Sequence, residues 1–144
     1  MSDGFRFIEE KSVAALAHLA DRGELFDVIF IDGNHRFDDA FVDFTVSAKV
    51  CPVDGFIIPD DMWMPAIRLT VAFIRSNRKD FEEIKTPVTN IAAFRRIGGD
   101  AREWRHYVVF FGCRRYHDLR LAIGSLTADS LRRGARAVVR LPRP

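Results

Sequence analysis

The stretch from Phe26 to His35 constrains this chain more than any other: Val28-Ile29-Phe30-Ile31 is apolar without alternation and stops on Asp32-Gly33-Asn34-His35. Four consecutive β-branched or aromatic residues predict a strand covered on both faces, as in the centre of a parallel sheet. Open α/β sheets bind their ligands at the carboxyl ends of such strands, so Asp32 and His35 are expected at a binding rim. Gly55-Phe56-Ile57-Ile58-Pro59 repeats the design and ends on Asp60-Asp61.

The chain has 144 residues, 48% hydrophobic and 29% charged, enough for one ordinary core, and a single soluble domain is the expectation. Asp3, Glu9, Glu10 and Lys11 interrupt the N-terminal apolar residues. No apolar stretch approaches the roughly 20 residues of a bilayer span. Neither a signal peptide nor a membrane anchor is expected, and the reading is cytoplasmic. Cys51 and Cys113 lack metal-site or disulfide-framework spacing and are read as packing residues of a reducing compartment.

A formal net charge of +2 does not call for a polyanionic partner. Its distribution says more. Arg114, Arg115, Arg120, Arg132, Arg133, Arg136, Arg140 and Arg143 face only Asp118 and Asp129 in the last segment. This shift divides the chain near Gly112 into an α/β domain over 1–112 and an Arg-rich extension over 113–144, with a helix expected over 125–136. The arginines lack interleaved aromatics, which favours a solvated basic extension over a nucleic-acid contact.

Along the body, strand and helix signals alternate. Phe5 to Ile8 reads as a short strand. Ser12 to Arg22 reads as a helix with Ser12 as N-cap, closed by Gly23. The strand Phe26 to Ile31 is followed by a helix opening at Asp38 or Asp39 and ending at Val50 before Pro52. After the turn Val53-Asp54-Gly55 and the second strand, Pro65 opens a third helix to about Asn77. Phe81 to Lys85, Asn90 to Ile97 and Tyr107 to Phe111 are β-rich, the first two forming an antiparallel edge across Thr86-Pro87-Val88-Thr89. The fold class is therefore α/β, a doubly wound, mostly parallel sheet with an antiparallel edge near its C-terminal part.

Successive strand ends bring Asp32, Asp60 and Asp61 to one rim. Three carboxylates there repel one another unless a hard divalent cation or raised pKa values intervene. Oxygen donors suit Mg²⁺ better than Zn²⁺. His35, three residues past Asp32, reaches the same rim with an imidazole, a base suited to neutral pH. Duller roles compete: Asp32 as a turn former, Asp61 as a cap of the helix begun by Pro65, and Asp38 or Asp39 as caps. Met62, Trp63 and Met64 either wall a pocket or fill core. His18, His106 and His117 are read as surface or loop residues.

Leu25 to His35, then Asp39 to Val50, then Pro52-Val53-Asp54-Gly55 leading to Asp60-Asp61-Met62-Trp63, and finally Asn90 to Arg96, resemble the class I S-adenosylmethionine-dependent methyltransferases. The resemblance is to the metal-dependent small-molecule and sugar O-methyltransferase branch, over roughly positions 5 to 110. Val53 and Asp54 stand where that family has small residues in the turn. The resemblance implies a Rossmann-like fold, represented by its C-terminal part and lacking the first strands with their Gly-rich cofactor loop. It further implies Mg²⁺ held by Asp32, Asp60 and Asp61, His35 as the base that deprotonates a small-molecule hydroxyl, and Ser12 and Asp32 as S-adenosylmethionine contacts. Exposed edges of a partial sheet imply a homo-oligomer, such as a dimer. Two alternatives stand beside the O-methyltransferase: a non-catalytic dimerising remnant of the fold, and a divalent-metal enzyme that does not use S-adenosylmethionine.

Overall fold

The computed structural model describes residues 5–110. The Arg-rich extension and the helix expected over 125–136 lie outside the described residues. The elements, in chain order, are α1 (Ser12–Asp21), β1 (Val28–Ile31), α2 (Phe37–Val50), β2 (Phe56–Pro59), α3 (Pro65–Asn77), β3 (Phe81–Ile84) and β4 (Ala93–Arg96). β1 and β2 pair in parallel, Val28 opposite Phe56 through Ile31 opposite Pro59. β4 pairs antiparallel with both β2 and β3, so the sheet order is β1-β2-β4-β3. Three strands thus run one way and β4 the other, a Rossmann-like α/β sheet in which the expected antiparallel pair is β3 with β4.

Side-chain alternation divides the sheet into two faces. Ile29, Ile31, Ile57, Phe94 and Phe81 point toward the helices and join Phe44, Val71, Phe73 and Ile74 in the core. Phe44, Ile57, Ile74 and Phe94 have 1% or less of their surface exposed. Each such side chain contributes roughly 1.5–3 kcal/mol by leaving water. On the opposite face Val28 and Phe30 are 61% and 55% exposed. The apolar run of β1 predicts a strand covered on both faces, but among the described residues it is an edge strand with one face open.

Local chemistry explains the element ends. Gly23 takes φ +68°, and its N–H and that of Glu24 bond back to the carbonyls of Ala20 and Leu19, closing α1. The end of α2 is held from outside: the Arg96 guanidinium, on β4, donates to the carbonyls of Ala48 (2.9 Å) and Cys51. Cys51 is buried in the core, and that burial pushes its thiol pKa up. Pro65 occupies the first turn of α3 as expected. Arg78, just past α3, is buried with its guanidinium 5.1 Å from the Phe44 ring centroid and 5.0 Å from that of Phe81, and it donates to both oxygens of buried Asp80.

Several local expectations differ from the structure. Residues 5–8 form no strand; Phe5 and Phe7 are exposed, and among the described residues no strand pairs with them. Ser12 is the first residue of α1 rather than its cap, and its hydroxyl donates to Asp43 of α2 at 2.6 Å. Neither Asp38 nor Asp39 caps α2; both lie in its first turn beside Arg36. The β-rich residues 107–110 form no strand, because the Asn77 side chain occupies the ladder position: its amide donates to the Val108 carbonyl at 2.9 Å and its oxygen accepts from the Val108 N–H at 2.7 Å. Phe111 lies outside the described residues. No helix among the described residues is long and apolar enough to cross a membrane.

Candidate functional site

The parallel pairing of β1 with β2 places the residues that follow each strand side by side, and the Asp60 N–H bonds to the Ile31 carbonyl at 3.0 Å across the strand ends. Asp61 then turns back sharply with φ +56°, a left-handed conformation that is uncommon outside glycine and costs about 1 kcal/mol or more. The turn is closed by the Met64 N–H on the Asp61 carbonyl and by the Met62 N–H on the Asn90 carbonyl, both at 2.8 Å. Asp61 therefore projects back over the end of β1 rather than capping α3.

Asp32, His35 and Asp61 converge. One ligand atom from each lies within 4.8 Å of the other two. His35 Nε2 is 2.5 Å from Asp61 Oδ2 and 4.0 Å from Asp32 Oδ1. Nε2 is buried and makes no directed hydrogen bond. The proximity of Nε2 to Asp61 is a charge contact rather than an aligned bond. A buried polar atom left this way is costly unless another group completes it.

Asp60 falls outside this group of three. Its Oδ1 accepts from the Asp61 N–H at 2.7 Å and from the Asn90 side-chain amide at 2.8 Å. Sequence reading missed Asn90 as a site residue. Its amide also reaches Asp61 Oδ1 at 3.2 Å, where the Trp63 indole N–H donates at 2.7 Å. The only signal in the sequence is a carboxamide directly before the apolar residues of β4, which a turn role explains equally well. These donors, Asn90 first and Trp63 next, hold the Asp61 carboxyl below its ordinary range, and the charge contact with His35 acts in the same direction. For Asp61 the crowding of acids is thus met by neighbouring donors and not by the raised pKa that repulsion alone predicts.

Ser12 and Asp32 line one cavity of about 350 Å³ on the outer side of β1, with Leu16, Ile31, Asp43 and Ser47. Asp43 and Ser47 are buried, and Ser47 Oγ has no hydrogen-bond partner. Gly33 lies against Asp43: a Cβ there would come within 3.3 Å of Asp43 Oδ2. Asp32 therefore stands between a cavity bearing hydroxyls and a carboxylate and the cluster with His35 and Asp61.

A family model for the methyltransferase domain matches residues 1–62, which include Ser12, Asp32, His35, Asp60 and Asp61. No curated protein matches the chain. Among solved structures the chain is similar to the MycE methyltransferase from the mycinamycin biosynthetic pathway, a structure in complex with Mg, SAH and mycinamycin VI. The identity is 16% and the TM-score 0.48, over 82% of this chain and 37% of that one. The chain thus spans well under half the length of that protein. The methyltransferase-domain match thus ends on the second of two adjoining strand ends, and it takes in both the Asp32-Gly33-Asn34-His35 and the Asp60-Asp61 signatures.

Proposed function

We propose that this chain carries the metal and base machinery of an S-adenosylmethionine-dependent O-methyltransferase, moving a methyl group from the cofactor's sulfonium to a hydroxyl of a small molecule. The observation that carries the reading is the convergence of Asp32, His35 and Asp61, with His35 Nε2 buried and without a hydrogen bond. Two carboxylates of this kind suit a hard divalent cation such as Mg²⁺. Asp32 and Asp61 would hold it. Asp60, counted with them on resemblance, has Oδ1 engaged by two donors and offers its other oxygen.

When bound, the cation would lower the pKa of the acceptor hydroxyl and orient its oxygen. His35 takes the hydroxyl proton at Nε2, and the carboxylates of Asp61 and Asp32, 2.5 and 4.0 Å away, stabilise the imidazolium that results. S-adenosylmethionine, when bound, would supply an electrophilic methyl, and as the acceptor oxygen took it the electron pair of the carbon–sulfur bond would return to sulfur as a neutral thioether. Such a transfer depends on alignment, which rigid strand ends supply. On the other side of Asp32, the hydroxyls of Ser12 and Ser47 and the Asp43 carboxylate suit a cofactor bearing hydroxyl and ammonium groups.

Equilibrium dialysis of the chain against radiolabelled S-adenosylmethionine tests the reading. Saturable uptake that strengthens with Mg²⁺ is expected; no uptake in either condition removes the cofactor from the account.

A second reading is favoured by β1. Its outer edge is unpaired among the described residues, and Val28 and Phe30 expose most of their surface. A homo-oligomer that covers this edge accounts for both features, with or without catalysis. Sizing at micromolar concentration should then give more than one chain per particle, and a strict monomer would remove this reading.

A further inference from the structure

The Trp63 indole is 65% exposed, yet it is not free. Its N–H donates to Asp61 Oδ1 at 2.7 Å, and the turn that carries it is closed at Met64 and anchored at Met62. Half-buried Met62 and Met64, packed against the core, lie on either side of it in the chain. A large apolar ring is therefore held in place at the border of the candidate cation site.

The order of groups along the rim says which ligand meets that ring. The cavity of Ser12, Asp43 and Ser47 lies outside β1, and Asp32 ends β1. His35 and Asp61 come next, and Trp63 and Asn90 lie beyond, where β2 and β4 adjoin. A cofactor on the Ser12 side leaves the acceptor to approach from the Trp63 side. The ring is not needed merely to hold Asp61, because Asn90 donates to the same oxygen at 3.2 Å.

Resting on the methyl-transfer reading above, we propose that Trp63 is a specificity-determining residue: its ring is the platform on which the acceptor lays a flat aromatic ring while the hydroxyl reaches His35 and Asp61. The acceptor class is thus an aryl alcohol in the broad sense, a hydroxyl carried on a planar ring. A saturated alcohol of the same size places its oxygen equally well but cannot stack.

Two substitutions separate the ring from its N–H. Trp63→Phe keeps a ring and loses the donor; Trp63→Gln keeps a donor and loses the ring. Calorimetry measures 2-naphthol and decahydro-2-naphthol binding to the wild type and both variants, with and without Mg²⁺, after melting curves show that the surface substitutions leave the fold intact. The expected result is 2-naphthol binding that Trp63→Phe preserves within about threefold and Trp63→Gln weakens about fivefold or more, with the saturated alcohol weak throughout and indifferent to both variants. Equal 2-naphthol affinity in the wild type and Trp63→Gln, a parallel loss of both alcohols, or no 2-naphthol binding by the wild type overturns the proposal. Titration of Mg²⁺ into the same samples isolates the metal reading. If Mg²⁺ fails to bind, that reading falls by itself, and the metal-free 2-naphthol series still decides the role of Trp63.

Discussion

The turn that feeds β2 gives a quantitative prediction at Gly55. The Gly55 N–H bonds to the Pro52 carbonyl at 3.0 Å, and Asp54 between them sits at φ +69°, so the chain reverses in a type II arrangement. A Cβ added at Gly55 would lie 2.8 Å from Cys51 Sγ and 3.0 Å from both Pro52 Cδ and the Pro52 carbonyl oxygen. Two of these neighbours belong to a proline ring and the backbone and cannot swing aside. Gly55→Ala should therefore cost about 1–3 kcal/mol through overpacking. The melting temperature should fall by at least about 4 °C for a unit of this size. Adding Cys51→Ala relieves the shortest contact only, so the double variant should recover part of the loss and not all of it. Asp54→Gly, next door, has a different balance: release of the left-handed strain, about 1 kcal/mol, is offset by extra freedom in the unfolded chain, about 0.4–1 kcal/mol. That change should be close to neutral. Thermal and urea unfolding of the four proteins test the set, and an unaltered stability of Gly55→Ala would refute the steric reasoning.

Other outcomes follow from the same contacts. Asp80→Asn removes the buried carboxylate that takes both Arg78 hydrogen bonds, leaving only Asp100 at 3.9 Å as counter-charge, and should cost about 3 kcal/mol in urea unfolding; a loss under about 1 kcal/mol would mean that Asp100 and the phenyl rings suffice to hold the cation. Asp100 accepts two side-chain hydrogen bonds from Arg102, which with the nearby Arg78 hold its carboxyl down to about 2 from an ordinary 3.8. A depressed carboxyl pKa adds stability above the unfolded value and loses it as pH falls through the folded one. The acid limb of the stability curve between about pH 4 and 2 should therefore be shallower in Asp100→Asn, and an identical limb would remove Asp100 from it. With an acceptor in hand, His35→Ala should lower turnover by about 10²–10⁴ while leaving the melting curve in place; unchanged turnover in a radiolabelled methyl assay would refute its role as base.

The parts of this fold that were legible in the sequence are those set by local chemistry. Pro65 has a fixed φ and no N–H to lose, so it marked the start of α3. Gly23 could take the left-handed position that closes α1, and the apolar runs ending on Asp32 and on Asp60-Asp61 placed β1 and β2 with their acids at one rim. What escaped reading depends on partners distant in sequence. Asn77 satisfies both backbone groups of Val108 and so replaces a strand that the residues from Tyr107 onward suggest. Asn90 reaches Asp60 and Asp61 from 29 to 30 positions away. Ser12 looked like a cap because helix caps are its commonest local use, but Asp43 on the next helix claims its hydroxyl. Phe5 to Ile8 has strand-like composition and, among the described residues, no neighbour to pair with, and a strand without a ladder partner does not form.

The most direct test of the central claim is calorimetric titration of Mg²⁺ into the wild type, Asp32→Asn and Asp61→Asn, each with its fold checked by melting. The account predicts one saturable site in the wild type and at least about tenfold weaker binding in each variant. No saturable binding by the wild type, or equal affinity in all three, would contradict a shared cation site at Asp32 and Asp61.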